Sequence, residues 1–249
     1  MAHDNRLLVV LRTMNEIGIC SVLDLYHATG ISRPAIHRIV VGLCEQGYVE
    51  RIPATSRFRL TSEVLALSAG YREKDWIANA GATVLGELQA EIQWPMSLAT
   101  PYRDVMIVRE TTRFRSPFVF DRGGVGTRLP MLRSSLGLAY LAFCEPKARA
   151  ITMKLIASND ESDSAARNVA KTKLLLKETA RRGYALRMGG IEAKTSSISV
   201  PVAIHGLVVG AICVTYATIA LKAHQAAIEF VPPLRTAAAR IAQIASGND

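Results

Sequence analysis

Basic side chains recur in the first quarter of the chain at spacings suited to a polyanion. Arg33, His37 and Arg38 fall near the start of a predicted helix, and Arg57 and Arg59 alternate with apolar residues further on. Guanidinium groups donate paired hydrogen bonds to phosphate oxygens and to the edge of guanine. The N-terminus of a helix also carries partial positive charge, which attracts phosphate. This arrangement predicts contact with nucleic acid.

No set of residues has the types and spacing of a catalytic or metal-binding site. The four cysteines are widely separated and form no CxxC pair, which argues against a zinc module. Gly123-Gly124-Val125-Gly126 is not followed by the Lys and Ser or Thr of a phosphate-binding loop, so we expect a turn there. Cys44 and Cys213 lie in apolar segments and are expected to be buried thiols in a reducing cytosol. We therefore predict a protein that is not an enzyme and that uses no metal or other cofactor.

The composition predicts a globular cytoplasmic protein with a basic charge balance. The chain has 249 residues, of which 49% are hydrophobic, and its net charge is +9. Residues 1–62 hold seven arginines and five acids, a net charge of +2, so the other +7 lies beyond them. The prediction of nucleic-acid binding therefore depends on local arrangement rather than on total charge. No uncharged apolar run has the length of a signal peptide or membrane helix, so we expect no membrane partner.

Two short helices and a glycine are predicted to lead into the first group of basic residues. The first helix covers about Asn5–Asn15 and ends before Gly18. The second is capped by Ser21, with Asp24 at the position of a capping box, and it ends at Gly30. A helix, a short glycine-containing turn and a second helix with basic residues at its start form the helix-turn-helix pattern.

The third helix is expected to present the recognition surface. Ser32 is predicted to cap it, and Pro34 falls in its first turn, where a missing N–H costs little. Residues at helical spacing form a buried face: Ile36, Ile39, Val40 and Leu43. The opposite face is left to Arg33, Ala35, His37, Arg38 and Val41.

A β-hairpin with a basic edge is predicted directly after this helix. Tyr48–Ile52 and Arg57–Leu60 are its strands, joined by a turn. The second strand alternates basic and apolar residues, so Arg57 and Arg59 face outward, where they can neutralise phosphates or enter the minor groove. Such a hairpin is the wing of a winged helix-turn-helix. The predicted DNA-contacting residues are Ser32, Arg33, Pro34, Ala35, His37, Arg38, Arg51, Ser56, Arg57 and Arg59.

Residues 79–249 are predicted to form a larger α+β domain, after a linker helix at 63–78 and a DNA-binding domain at 1–62. The predicted helices are Ala80–Ile92, Ser134–Phe143, Pro146–Leu155, Val169–Arg181 and Ala220–Ala245, the last broken at Pro232-Pro233. The predicted strands are Ser97–Thr100, Val105–Glu110, Pro117–Asp121, Ser196–Ile204 and Leu207–Tyr216, and residues 157–168 are expected to be a surface loop. His205-Gly206 is a two-residue hairpin signal between the last two strands. Strands joined in this way, with helices around them, indicate an antiparallel sheet flanked by helices.

Small polar residues in the late strands predict a ligand pocket. Ser197, Cys213 and Thr215 are small or polar residues at alternate positions in strands that are otherwise expected to be buried. Ser134 and Gly137 lie at the start of a helix, which attracts a carboxylate. A mostly apolar pocket with a few hydroxyls suits an aromatic acid. The alternative for each residue is purely structural, because Ser and Thr are common in strands and a glycine such as Gly137 permits close packing.

Several segments in order resemble the IclR family of bacterial transcription regulators over nearly the whole chain. They include Gly30–Arg38 with Gly47-Tyr48-Val49, the wing residues Phe58-Arg59-Leu60, the segment Arg128–Phe143, Arg181-Arg182-Gly183-Tyr184, and Ser197–Val202. Val108–Thr112 and Phe118–Asp121 are similar to the branch that contains the MhpR-type activators of hydroxyphenylpropionate breakdown. No single motif is specific, but their order and spacing together are.

The resemblance implies a winged helix-turn-helix, a linker helix and a GAF/PAS-like effector domain with an antiparallel sheet. It also implies a homodimer, or a tetramer built from two dimers, on a pseudo-palindromic double-stranded DNA operator. The positions that match the family's effector pocket are Met131, Leu132, Ser134, Gly137, Arg187, Ser197, Cys213 and Thr215. The sequence departs from the family at Arg187, where an acidic cluster is usual and only Glu192 is acidic.

Together these features predict a transcription regulator of an aromatic-degradation operon, switched by a small aromatic or carboxylic effector. RNA polymerase is a further candidate partner. Two alternatives stay open at this point: a protein-binding adaptor that never touches DNA, and a small-molecule enzyme with an accessory helical domain. Replacing Arg33 and Arg38 with alanine separates the adaptor from the regulator, because only the regulator loses DNA binding.

Overall fold

The computed structural model describes residues 5–68, 76–118, 123–158, 169–189, 191 and 193–247. The chain divides into two compact units, Met1–Lys74 and Asp75–Asp249. Most of the predicted linker helix, part of the predicted strand Pro117–Asp121 and most of the predicted loop at 157–168 lie outside the described residues. None of the described helices is both long and apolar enough to cross a membrane.

The first unit is a three-helix module with a small antiparallel sheet. Its elements are α1 (Asn5–Ile17), β1 (Cys20–Ser21), α2 (Val22–Thr29), α3 (Arg33–Glu45), β2 (Val49–Arg51) and β3 (Arg57–Leu60). The sheet order is β1-β3-β2. Strand β1 was not predicted, because two residues are too few to show an alternating pattern.

Local capping explains where α2 begins and ends. Ser21 accepts a hydrogen bond from the backbone N–H of Asp24, and the Asp24 carboxylate accepts one from the backbone N–H of Ser21, as the sequence predicted. Gly30 ends the helix with φ 68°, in the left-handed region that glycine tolerates. Fully buried residues from all three helices, including Val10, Leu25 and Ile36, then form one hydrophobic core.

The second unit contains a six-stranded antiparallel sheet and five helices among the described residues. The helices are α4 (Trp76–Leu88), α5 (Ser135–Phe143), α6 (Pro146–Ser158), α7 (Val169–Arg182) and α8 (Ala223–Ala245). The strands are β4 (Met96–Tyr102), β5 (Val105–Thr111), β6 (Arg128–Pro130), β7 (Ala185–Met188), β8 (Thr195–Ile204) and β9 (Leu207–Ala217), in the order β6-β5-β4-β9-β8-β7. The α+β prediction is confirmed, and His205 and Gly206 make the predicted hairpin turn with φ 48° and 80°.

The alternation of residues along β8 and β9 divides the core into two layers. Ile198, Val200 and Val214 point to one face, where they pack in a cluster with residues of α4 and α8. Ser197 and Cys213 point to the other face, the side on which the buried helix α5 lies. Because side chains alternate along a strand, the register that buries the aliphatic side chains on one face also places the hydroxyls on the opposite face.

Three sequence predictions about the elements are corrected by the structure. Ser62–Ser68 is a 3-10 helix rather than the start of an α-helix, and α4 begins at Trp76 rather than at Ala80. Helix α8 is continuous through Pro232-Pro233. Two proline side chains remove hydrogen bonds from this helix, but Phe230 and Leu234 are buried on either side of them, so packing against the sheet holds both halves in line.

Candidate functional site

The exposed face of α3 carries most of the residues predicted to contact DNA. Ser32, Arg33, Pro34, His37 and Arg38 are all exposed. Ala35, which the sequence pattern placed on the exposed face, is buried, with 8% of its surface accessible, and its contact with DNA stays a prediction. The buried face of α3 therefore includes Ala35 beside Ile36 and is wider than the sequence pattern predicted.

Ser32 occupies the predicted cap position, but its hydroxyl does not cap the helix. The N–H groups of Ala35 and Ile36 both donate to the carbonyl oxygen of Ser32, each at 3.0 Å. Pro34, the second helical residue, has no N–H to donate. The hydroxyl of Ser32 therefore makes no capping bond, and Ser32 is exposed next to Arg33.

The two arginines of this face are held differently. The guanidinium carbon of Arg33 lies 5.4 Å from the centroid of the Tyr26 ring, so a cation–π contact ties it to α2. No hydrogen bond or ion pair joins the side chain of Arg38 to any other described residue. Arg33 is therefore partly oriented before any ligand binds, whereas Arg38 is available to adapt to one.

The hairpin of β2 and β3 places four predicted residues, Arg51, Ser56, Arg57 and Arg59, on the surface. Arg59 lies directly opposite Glu50, and its Nε donates to the Glu50 carboxylate at 2.5 Å. The Nε of Arg51 donates to the carbonyl oxygen of Thr55 at 3.4 Å across the turn. The wing therefore includes one arginine whose charge is opposed by a neighbouring acid, which the sequence pattern did not predict.

Asp24 adds a second acidic group near the wing. The backbone N–H and the hydroxyl of Ser21 both donate to its carboxylate, which lowers the pKa of Asp24, with a smaller contribution from the positive charge of Arg57. The carboxylate is therefore ionised at neutral pH. It stabilises the start of α2.

The second candidate site is a cavity of about 70 Å³ on the α5 side of the sheet. Five of the predicted ligand residues line it, namely Ser134, Arg187, Ser197, Cys213 and Thr215. The register explains why they meet: Arg187 pairs with Ser197, and Ser197 pairs with Thr215 on the next strand. The tertiary structure thus brings one edge of the sheet, its centre and the start of α5 together.

Met131, Leu132 and Gly137 lie outside the cavity lining, contrary to the sequence prediction. Met131 and Leu132 are buried among the core residues around α5. A Cβ atom on Gly137 would lie 2.2 Å from the carbonyl oxygen of Met131, so this glycine permits close packing of the helix on the preceding turn. Close packing therefore accounts for Gly137, and ligand contact by these three residues stays a prediction.

A chain of hydrogen bonds links the sheet to the start of α5. The hydroxyls of Ser199 and Ser135 are 2.7 Å apart, and those of Ser135 and Ser197 are also 2.7 Å apart. Arg187 donates from Nε to the Ser197 hydroxyl at 3.0 Å and from a terminal nitrogen to the Thr195 hydroxyl at 2.9 Å. The acceptors of Arg187 in this chain of hydrogen bonds are hydroxyl oxygens, and these bonds orient its guanidinium toward the sheet.

The sequence analysis missed several residues that line the cavity. Hydroxyl side chains are more numerous than expected, with Ser97, Thr111, Thr127, Ser135 and Thr195 added to those predicted. A second arginine, Arg113, also lines it, together with Val108, Leu129 and Leu136. Ser97 gave a usable signal, since it lies in a predicted strand, but Arg113 and Thr127 lie in loops whose fold the periodicity does not predict.

The described residues contain no group of three or more His, Cys, Asp or Glu side chains that could hold a metal ion. Cys44 is half-buried rather than buried, and Cys213 is buried as expected. All four cysteines are free thiols.

Comparison with known protein families assigns both units. Residues 5–53 match the model of the IclR helix-turn-helix domain. Residues 85–243 match the model of the C-terminal part of bacterial IclR transcriptional regulators. These ranges contain α3, β2 and the cavity-lining residues of the second unit.

Individual relatives agree with this assignment. The chain is 25% identical over 208 residues to the DNA-binding transcriptional repressor YiaJ of Escherichia coli (strain K12), which covers 82% of this chain and 73% of that protein. Its fold is similar to that of the Thermotoga maritima IclR, with 16% identity, 96% of each chain covered and a TM-score of 0.66. It is also similar to an IclR homologue from Microbacterium hydrocarbonoxydans complexed with 4-hydroxybenzoate, with 20% identity, 97% and 99% coverage and a TM-score of 0.63.

The helix-turn-helix seen in the first unit agrees with the family models that match both units. Family members of this kind are transcriptional regulators and not enzymes. The chain belongs to the IclR family of DNA-binding transcriptional regulators.

Proposed function

We propose that a small organic acid, bound in the cavity, controls DNA binding by this regulator. The observation that carries the proposal is Arg187, a cation oriented by Ser197 and Thr195 at the wall of a cavity rich in hydroxyls. A guanidinium donating paired hydrogen bonds is the usual partner of a carboxylate. A similarly folded homologue was solved as a complex with 4-hydroxybenzoate, which supports a small acid with a single ring. A cavity of about 70 Å³ favours a molecule with at most one ring.

The proposed setting is the control of an operon for aromatic degradation, as in the MhpR-like branch, in the cytoplasm. The regulator would act as a homodimer or tetramer, so that two recognition helices reach the two halves of a palindromic operator. The effector would bind one arrangement of the assembly better than the other, and a coupling of about 1–3 kcal/mol changes operator affinity 5- to 150-fold. RNA polymerase is a proposed partner in activation.

The direct test is a fluorescence-anisotropy titration of the full-length protein against DNA from upstream of its own gene. The titration is run at two salt concentrations, with and without a panel of aromatic and aliphatic acids. We expect binding that weakens steeply with salt and that one class of acid changes at least fivefold. Binding no tighter than to random DNA, with no response to any acid, would contradict the proposal.

Replacing Arg187 with glutamine is expected to remove the response to the effector while DNA affinity without effector stays within about twofold. The physical reason is that glutamine keeps hydrogen-bonding capacity but supplies no charge to a carboxylate. Effector-dependent anisotropy measures the change. The matched control is Arg128→Gln, which removes the same charge from an exposed residue outside the cavity lining. An Arg187→Gln protein that responds normally would exclude the cavity as the effector site.

Replacing Glu50 with glutamine is expected to strengthen DNA binding. Glu50 competes with phosphate for Arg59, so removing its charge frees that guanidinium for the DNA backbone. Because backbone contacts carry no sequence information, affinity for operator and random DNA should rise alike, by about threefold, with a steeper salt dependence. Glu145→Gln, an equal charge change on an exposed residue of the second unit, is the control. Unchanged affinity for both DNAs would mean that the wing does not meet the backbone.

A further inference from the structure

A groove of about 760 Å³ lies between α6 and α7 on the surface of the second unit. Helix α7 packs along α5, and the buried Ile156 anchors α6 to the same core. Within the described part of the chain, α6 and α7 make no extensive contact with each other. Ala142 of α5 contributes to the lining between them. Two helices that follow one another in sequence therefore stay apart and leave an open groove.

The lining residues of each helix follow a single helical face. On α6 they are Pro146, Arg149, Ala150, Met153, Lys154 and Ala157. The lining residues of α7 repeat the same spacing from Val169 to Ala180. Both sets recur at i, i+3, i+4, i+7, i+8 and i+11, which is the spacing of a face that packs against another helix. The groove therefore resembles a helical bundle from which one helix is missing.

Much of the lining is small or apolar. Ala150, Ala157 and Ala180 are exposed, and their short side chains leave room for larger ones from a partner. Met153 is half-buried, and Val169 has 67% of its surface exposed. Exposed apolar surface that is continuous along a groove is typical of a site where another protein binds.

Every charged side chain among the described lining residues is basic. Lys154 lies on α6, and Lys173 and Lys177 lie one helical turn apart on α7. These lysines are exposed, and no hydrogen bond or ion pair joins them to any other residue that the structure describes. Arg149 differs, because it donates to three carbonyl oxygens around the C-terminus of α5. Lys173 and Lys177 repel one another at this spacing, and a nearby acid would relieve the repulsion.

A second copy of this chain is a poor occupant for the groove. A two-fold symmetric contact would place the same patch of both copies face to face. Lys154, Lys173 and Lys177 of one copy would then approach the same lysines of the other, and like charges across an interface oppose binding. The chain as a whole also carries a net charge of +9. Charge complementarity therefore favours an acidic partner.

We propose that the groove binds an acidic amphipathic helix of another protein. The apolar stripe of that helix fills the gap between α6 and α7, with its larger side chains over the alanines. Its acidic residues flank the stripe and pair with Lys154 on one side and with Lys173 and Lys177 on the other. A small amphiphile with a single acidic head group would leave the lysines of one helix unused. This inference is independent of the effector cavity.

The test uses the full-length protein and a fluorescein-labelled synthetic peptide of about 14 residues, or roughly four helical turns. Leucines occupy positions i, i+3, i+4, i+7 and i+11 of the peptide, and glutamates cover its other face. Two matched peptides are the controls: one carries lysines in place of the glutamates, and the other has the composition of the acidic peptide without the stripe. Fluorescence anisotropy measures the affinity of each peptide.

We expect the acidic peptide with the stripe to bind about tenfold or more tightly than either control, and its affinity to fall as the salt concentration rises. The physical reason is that only this peptide supplies both the apolar stripe and the opposite charge. Equal binding of the three peptides, or no binding of the acidic peptide, would overturn the proposal.

Variants of the protein place the bound peptide in the groove. Lys173→Glu is expected to weaken binding of the acidic peptide about tenfold and to strengthen that of the basic peptide, and the new carboxylate, one turn before Lys177, does not destabilise the helix. Ala150→Phe is expected to weaken both, because its ring fills the gap, and Ala150 is exposed, so the core is not disturbed. Lys147→Glu, at an exposed residue of α6 outside the lining, is the control. Unchanged affinity in both Lys173→Glu and Ala150→Phe would contradict the placement.

Other occupants of the groove would give different results, each of which overturns the proposal. A change of oligomeric state in Lys173→Glu, measured by sedimentation velocity, would show that a second copy covers the groove. Binding of dodecanoate without binding of the acidic peptide would assign the groove to a small amphiphile. We expect the DNA affinity of Lys173→Glu to stay within about twofold of the wild-type value, and an equal loss of about tenfold for operator and random DNA would assign this lysine to DNA.

Discussion

Replacing Gly137 with alanine is expected to destabilise the second unit by about 3 kcal/mol. The added Cβ would lie 2.2 Å from the carbonyl oxygen and 2.5 Å from the Cα of Met131. Both neighbours are backbone atoms, so no rotation of a side chain can relieve the overlap. The residues of α5 around Gly137 are buried, so the helix cannot move away without disrupting the core. The higher helix propensity of alanine recovers only about 1 kcal/mol of this cost.

Urea denaturation followed by circular dichroism measures the loss, and thermal melting should show a decrease of about 6–12 °C for the second unit. The matched control is Gly86→Ala in α4, where the nearest atom to the added Cβ is the guanidinium end of Arg115, at 2.9 Å. This flexible end can move, so the control is expected to be nearly neutral. Equal stability of the two variants would show that α5 does not approach Met131 as closely as described.

The position of Gly137 also matters for the cavity. The N–H of Gly137 donates to the Ser134 hydroxyl at 3.0 Å. Ser135, two residues before Gly137, forms hydrogen bonds with Ser197 and Ser199. The close approach of α5 to Met131 therefore places the serine that connects the helix to the sheet. A residual folded fraction of the Gly137→Ala protein is expected to bind acids more weakly than the Gly86→Ala protein.

Replacing Arg38 with alanine is expected to lower operator affinity by about 10- to 100-fold and random-DNA affinity by no more than about threefold. One bidentate contact with a guanine supplies roughly 1–3 kcal/mol of discrimination. Arg38 is exposed on α3, and no hydrogen bond or ion pair holds its side chain to another described residue, so it is available for a base edge. Anisotropy titrations against operator and random DNA under identical salt measure both effects.

Arg33→Ala provides the informative comparison, because Arg33 stacks on Tyr26 and is held near the start of the helix, where phosphate is favoured. We expect it to weaken operator and random DNA by the same factor and to reduce the salt dependence. Lys154→Ala, an exposed residue of α6, controls for the loss of one positive charge. If Arg38→Ala weakened both DNAs equally, Arg38 would be a phosphate contact and not a reader of sequence.

Features that depend on neighbouring residues were predictable from the sequence. The capping of α2 by Ser21 and Asp24, the left-handed Gly30 and the hairpin at His205-Gly206 each involve residues within a few positions of one another. Such interactions can be predicted from the order of the residues, because residues a few positions apart in the chain are necessarily close in space. The alternation that put Cys213 and Thr215 on one face of β9 is local in the same sense.

The tertiary structure alone decided which distant residues meet. Ala35 was assigned to the surface because helical periodicity gives the direction of a side chain but not the width of the buried face. Gly137 was assigned to the pocket, yet its neighbour is the backbone of Met131, which only the packing of α5 brings within reach.

The pairing of Arg113 with Arg187 around one cavity is the clearest case. These residues are far apart in the chain, and Arg113 lies in a loop without periodicity. The sequence by itself determined the helix-turn-helix and the alternation of small polar and apolar residues along the late strands. The strand order β6-β5-β4-β9-β8-β7 decided that Arg113 and Arg187 line the same cavity, because long-range pairing depends on the whole core and not on any one segment.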